Sequence, residues 1–350
     1  MKKQFLFAMA AVAMLASCSN DDVVSNNGID GDKGRIEVKL GQPSIVSSRA
    51  SINNDAGWKN NAQIGIFAIN RKAADWTVTT DPKDRLIYNE TTKVDAAGTD
   101  LSWVAAGKHF YYPYDNKYEY SFYGYHPVQA EANIKATATQ VTCDFTLNGT
   151  QDILWGKNVL PIDTKGFNYK YITDNPATPS VPFQHLLTRF QFFVTGTTGA
   201  IAKDLAVTKV EVLNVQTAAQ LVIADKADTE IAAVRTLTLT GAADQILTLK
   251  DAAGTDATKV KATAGAGSPM GESIMLPAGA TSYDLRITFR DFAEATAPIT
   301  VLAKLTKAGN VAFLAGQSHK VIITLTEPKE VSLKATLADW DMAGEDIKPM

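Results

Sequence analysis

Tyr283-Asp284-Leu285-Arg286-Ile287-Thr288-Phe289-Arg290 sets an apolar side chain at every second position and a polar one between each pair. A period of two belongs to a β-strand with one face in a core and the other in water. Downstream the pattern recurs at residues 299–305, 320–325 and 331–337. Upstream it recurs at 183–194, 208–215, 236–239, 246–249 and 273–276. The first half carries similar stretches at 36–40, 64–69, 85–88, 109–112, 120–125 and 140–147, each set off by Gly, Pro, Asn or Asp. Helical periodicity is scarce, and the Ala-rich segments near Ala200 and Ala232 are too short to support a parallel α/β sheet. The pattern predicts an all-β chain of two tandem antiparallel β-sandwich domains of transthyretin-like or Greek-key type. Thr173-Asp174-Asn175-Pro176-Ala177-Thr178-Pro179-Ser180 has two prolines and no large apolar residue, so the seam is placed there, with domains at 36–180 and 181–350.

The chain opens with Lys2 and Lys3, an apolar run from Phe5 to Leu15, and Leu15-Ala16-Ser17-Cys18. A charged start, a short apolar stretch and small residues before a cysteine form a lipoprotein signal peptide, assigned to residues 1–17. The run falls short of the roughly 20 apolar residues that cross a bilayer. Cys18 is therefore the expected lipid-attachment residue, and acyl chains there would hold the protein on a membrane at about 0.8 kcal/mol per buried methylene. Residues 18–35 are rich in Asn, Asp, Gly and Ser and read as a flexible tether. Ser19-Asn20-Asp21-Asp22 is either a surface-export signal of the type used by lipoproteins of Bacteroides-type bacteria or a solvated linker.

The chain has 350 residues and 45% hydrophobic content, ample for two cores. A net charge of −3 lacks the basic footprint of a nucleic-acid binder. With Cys18 lipidated, Cys143 is the remaining cysteine of two, so no disulfide frame is expected and Cys143 reads as a small buried hydrophobe on a strand. His109, His126, His185 and His319 show no metal-ligand spacing. In Phe183-Gln184-His185-Leu186-Leu187, the histidine reads as a strand residue bonded to a backbone carbonyl. The Gly265-Ala266-Gly267-Ser268-Pro269-Met270-Gly271 stretch lacks a phosphate-loop lysine and reads as a turn. No catalytic residue, metal or cofactor is indicated, and the chain is read as a non-enzyme.

Tyr111, Tyr112, Tyr114, Tyr118, Tyr120, Phe122, Tyr123 and Tyr125 crowd into one segment. Strand alternation accounts for them as core and cross-strand packing, against the alternative of a sugar-stacking surface.

Several short motifs run in a set order: the Cys18 lipobox, Ser47-Ser48-Arg49-Ala50 after the first strand, and Ala62-Gln63-Ile64-Gly65-Ile66-Phe67-Ala68. Phe110-Tyr111-Tyr112-Pro113, Phe122-Tyr123-Gly124-Tyr125-His126-Pro127 and the stretch around His185 follow, then Leu314-Ala315-Gly316-Gln317 and Leu337-Ala338-Asp339-Trp340. Their order resembles the fimbrillin family, the type V pilins and fimbrillin-like lipoproteins of Bacteroides-type bacteria.

The resemblance implies a cell-surface fimbrial subunit that supports adhesion. It would be exported as a lipoprotein to the outer membrane, trimmed by a protease cutting after Arg49 so that Ala50 becomes the new start, and joined to other subunits by strand exchange. An ordinary loop arginine is the other reading of Arg49. Ile36, Val38 and Leu40 would form the removable first strand. Within the candidate donor strand 331–340, Val331, Leu333, Ala335 and Leu337 would fill pockets, with a bulge or turn before Trp340. Partners would be like subunits or accessory and anchor subunits, the membrane through the lipid, and a host or glycan ligand. Stalk, tip and anchor roles stay open. The rival functions are a surface glycan-binding lipoprotein of a nutrient-uptake system, marked by exposed tyrosines in the aromatic segment, and a secreted hydrolase with facing carboxylates or a metal.

Overall fold

The computed structural model describes residues 35–41, 43–45, 58, 61–77, 81–95, 101–158, 166–176, 178–228, 235–326 and 330–338. Among them the chain is almost entirely β. A seven-stranded sheet runs in the order Ser44–Ile45, Pro182–His185, Leu154–Lys157, Tyr120–His126, Gln63–Asn70, Arg85–Val94 and Leu101–Trp103. It packs on a four-stranded sheet ordered Thr238–Thr240, Ala218–Asp225, Gln140–Thr146 and Ile134–Ala136. Phe67, Tyr123, Tyr125 and Trp155 from the first sheet meet Val141, Cys143, Phe145, Leu221 and Ile223 from the second in one buried cluster.

A second sandwich pairs two further sheets. One is ordered Ser268–Pro277, Leu187–Gly196, Ser318–Thr326 and Glu330–Ala338. The other is ordered Gln245–Thr248, Leu205–Val215, Ser282–Asp291 and Ile299–Thr306, with Val260–Lys261 also paired to Leu205–Val215. The alternation at 283–290 appears as expected, with Tyr283, Leu285, Ile287 and Phe289 in the core. On the opposite face Arg286 lies across from Glu211 and bonds it at 2.7 Å. Neighbouring strands are mostly antiparallel; Leu187–Gly196 with Ser318–Thr326 and Ser44–Ile45 with Pro182–His185 are parallel.

Hydrogen-bonded pairing crosses the expected seam at 180/181. Pro182–His185 pairs with Leu154–Lys157, and Ala218–Asp225 with Gln140–Thr146. The seam region itself holds a short helix, Tyr169–Asp174, capped by the Asn168 side chain accepting from the Tyr171 amide at 2.8 Å. The long apolar stretch expected at 183–194 breaks at Leu186 into two strands serving different sheets. At the join between sandwiches the Met275 amide donates to the Gly149 carbonyl at 2.7 Å.

Both faces of the seven-stranded sheet are buried, which explains its near-continuous apolar runs. Along Gln63–Asn70, Phe67 and Ile69 point into the sandwich while Ile64, Ile66 and Ala68 point outward into a second cluster with Tyr120, Phe122, Leu154 and Phe183. Glycine makes room for this aromatic layer: a Cβ at Gly124 would sit 2.5 Å from the Phe183 ring.

Candidate functional site

The outward face of the seven-stranded sheet is roofed by the start of the described chain. Val38 is 2% exposed, and Ile36, Leu40 and Ile45 pack half-buried against the same aromatic cluster. Residues 36–40 do not form a full strand. Glu37 makes an isolated antiparallel bridge with Tyr111, the Val38 amide donates to the Phe110 carbonyl at 2.7 Å, and the Tyr112 amide to the Ile36 carbonyl at 3.0 Å. Accordingly 109–112, expected as a strand, contributes only this bridge among the described residues. Farther on, the Gly41 amide donates to Pro179, and Ser44–Ile45 pairs in parallel with Pro182–Phe183 at the sheet's edge. The segment thus crosses the face on few backbone bonds and several apolar anchors.

The aromatic segment lies beneath it. Tyr112, Tyr118, Tyr120, Phe122, Tyr123 and Tyr125 are each no more than 5% exposed, whereas Tyr111 and Tyr114 reach 38% and 47%. Packing is therefore the role of most of these side chains, as alternation predicts, with both parities buried because both faces of the sheet are covered. Buried hydroxyls are bonded where a partner is near: Tyr120 donates to the Lys83 carbonyl and Tyr125 to Asn89, each at 2.6 Å, and Tyr118 donates to Asp81. The Tyr112 hydroxyl, beside the first segment, is buried without a partner among the described residues, and burial pushes its pKa well above the usual tyrosine range. An unbonded buried hydroxyl costs about 1–3 kcal/mol.

At the other end of the chain, Glu330–Ala338 forms an edge strand paired antiparallel to Ser318–Thr326 over its full length. Val331 and Leu333 pack half-buried against the second core while Ser332 and Lys334 are exposed. Ala335 and Leu337 stand opposite Val321 and His319 in the register, and their side chains lie outside the described residues. So do Cys18, the Arg49-Ala50 pair and Trp340. The candidate donor is thus seated in its own chain, in the sandwich that the first segment does not touch.

Beneath the terminal strand His319 is 1% exposed, stacked on Phe190 with ring centroids 5.4 Å apart and edge-on to Phe313 at 5.0 Å. Its Nε2 has no partner among the described residues. Burial, with the nearby Lys307 charge adding to it, lowers its pKa to about 4. His185 faces a carboxylate: its Nδ1 lies 2.5 Å from Oδ2 of Asp152, both side chains being buried. The loop bearing Asp152 returns beside the strand, a tertiary approach that local sequence does not carry. Cys143 is fully buried on Gln140–Thr146, and burial pushes its thiol up to about 12. Among the described residues no three His, Cys, Asp or Glu side chains gather as a metal site, and no helix is long and apolar enough to cross a membrane.

Comparison with known proteins places this arrangement. A candidate cell adhesion protein from Bacteroides uniformis superposes with a TM-score of 0.54 at 20% identity, covering 88% of this chain and 98% of that one. Another from Bacteroides ovatus gives 0.55 at 16% identity, covering 90% and 100%. At such identities the likeness concerns the fold. No curated protein matches the sequence. Residues 48–340 match the family described as fimbrillin-like, and the chain belongs to that family.

Proposed function

We propose that the protein is a structural, non-enzymatic subunit of a cell-surface fimbria that supports adhesion. It is exported as a lipoprotein through Cys18, trimmed between Arg49 and Ala50, and assembled with other subunits by β-strand exchange. The observation that carries this reading is the seating of residues 36–41 and 43–45. They cover an aromatic face outside the sandwich core, which is built from Phe67, Tyr123, Trp155, Val141 and Leu221 without them. Removing the segment would leave that core whole and uncover the apolar groove and the Pro182–His185 edge.

Burying a side chain of the size of Ile, Val or Leu contributes about 1.5–3 kcal/mol. Val38 contributes that in full and the half-buried Ile36 and Leu40 a part each, so together they approach the lower end of a domain's net stability of roughly 5–15 kcal/mol. A groove stripped of them would favour any strand with matching alternation, and an open sheet edge invites such pairing. Val331, Leu333, Ala335 and Leu337 of a neighbouring copy supply that alternation. In the isolated chain the donor instead satisfies its own Ser318–Thr326 edge, so assembly exchanges one seat for another, as in domain swapping.

N-terminal sequencing of the protein recovered from surface filaments tests this reading. A start at Ala50 supports trimming, and an assembled subunit still beginning at an acylated Cys18 refutes it.

A further inference from the structure

The outer face of the four-stranded sheet carries a cleft of about 690 Å3 with no part in the exchange just described. Its floor is a cross-strand row in which Ala218 lies between Thr146 and Thr240, a small residue flanked by two hydroxyls. A second row brings Asp144 opposite Gln220. Amide side chains of Gln129, Asn133, Asn148 and Gln151 line it further, with Phe145 and Ala219 as the apolar remainder.

The charge in the cleft is neutralised from within. Lys135 and Asp144 are its two ionic residues and bond each other at 2.5 Å, and Gln220 donates to the other Asp144 oxygen at 2.9 Å. Lys135 and then Gln220 hold the Asp144 carboxyl below the usual range, so it stays ionised and fixed. An anionic ligand therefore meets a lysine already paired with a carboxylate, and an apolar one finds only Ala218, Ala219 and Phe145 among the lining residues. What remains is a set of amides and hydroxyls, each able to exchange hydrogen bonds with a group that both donates and accepts.

Several of these side chains are pre-set. The Asn133 amide donates to Gln129 at 3.3 Å, and Asn148 Oδ1 accepts from Thr150 and from the Gln151 amide at 2.9–3.1 Å. The Gln151 side chain, with the Thr146 and Thr240 hydroxyls, has no protein partner among the described residues. Fixed rotamers lower the entropy lost when a polar ligand docks.

We infer that this cleft binds a neutral oligosaccharide, whose vicinal hydroxyls match the amides and hydroxyls that line it around one internal ion pair. Its volume lies within the roughly 300–1,000 Å3 of ordinary small-ligand sites, room for a short glycan. No aromatic platform faces it, since Phe145 points into the core, so single-site affinity is weak. The cleft's chemistry stands independently of the strand-exchange reading; many copies along a filament would add avidity.

The test is a printed array of neutral, sialylated and sulfated oligosaccharides probed with the detergent-solubilised full-length protein, followed by titration of the best neutral binder. Retention of neutral glycans is expected, weakened at least tenfold in Gln151→Ala/Gln220→Ala at unchanged melting temperature and unaffected by Tyr114→Ala. Retention of none, retention confined to charged glycans, or a double variant that binds like the parent overturns the inference. Binding is read on the unassembled chain, so none of these outcomes bears on filament formation.

Discussion

The amide of Val38 donates to the carbonyl of Phe110 at 2.7 Å, tying the first described segment to the loop that leads into the aromatic strand Tyr120–His126. The bond holds Val38 over Tyr112, Tyr120 and Phe122 as a plug in the outward face of the sheet. Val38→Ala should lower unfolding free energy by about 1–3 kcal/mol, the usual range for a small core truncation. Lys39→Ala, on the exposed side, should change it by less than about 0.5 kcal/mol. Urea denaturation of both variants checks the pair, and equal effects would mean Val38 is not an anchor.

The aromatic layer should behave as core. Phe122→Ala or Tyr123→Ala should each cost about 3–5 kcal/mol, and Tyr114→Ala, half-exposed, almost nothing. Gly124→Ala should also be costly, since its Cβ would meet the Phe183 ring. Thermal melts would reveal a different role if the tyrosine truncations were silent.

Acid should weaken the protein in two separable windows. His319 has a folded pKa near 4 against 6.5 as its ordinary value. The unfolded chain therefore binds the extra proton first, and the stability held above about pH 6.5 is lost as pH falls toward 4. His319→Leu should flatten that window in denaturation curves collected across it. A variant with the same slope as the parent would place the titration elsewhere.

The second window belongs to Glu211, whose carboxyl Arg286 holds down to about 2 against burial, with Lys209 assisting. A depressed acid contributes stability above about pH 4.5 that is lost as pH falls through 2. Glu211→Gln should remove that lower window and cost up to about 1 kcal/mol at neutral pH, as expected for a partly exposed pair. An unchanged acid limb in Glu211→Gln would contradict it.

Strands with one wet face were plain in the sequence, because residues such as Leu285 and Arg286 alternate cleanly. Leu154–Lys157 was missed: it is short, buried throughout, and contains Gly156, whose missing side chain lets the Pro182 carbonyl approach. Ala218–Asp225 hid behind its alanines, and its return to the first sandwich is a pairing across more than seventy residues that no local pattern encodes. The polar cleft was invisible for the same reason, since Gln220 reaches Asp144 only through that pairing, although Lys135 meets Asp144 across the local Ile134–Ala136 and Gln140–Thr146 hairpin. The burial of Val38 and half-burial of Leu333 were legible from their apolar alternation, whereas any part in exchange rests on sequence motifs, as do Cys18 and Arg49, which lie outside the described residues.

A trimmed subunit should accept a neighbour's terminal strand, and sedimentation of a form beginning at Ala50 shows whether it does. Oligomers that resist mild detergent are expected, with Arg49→Ala blocking trimming of the parent. Deletion of residues 331–350 should leave a monomer that captures a peptide of that sequence at two seats, the uncovered groove and its own vacated Ser318–Thr326 edge. Leu333→Asp in the peptide should weaken capture strongly and Lys334→Glu hardly at all. A form beginning at Ala50 that stays strictly monomeric at high concentration and ignores the peptide would rule out strand exchange between copies.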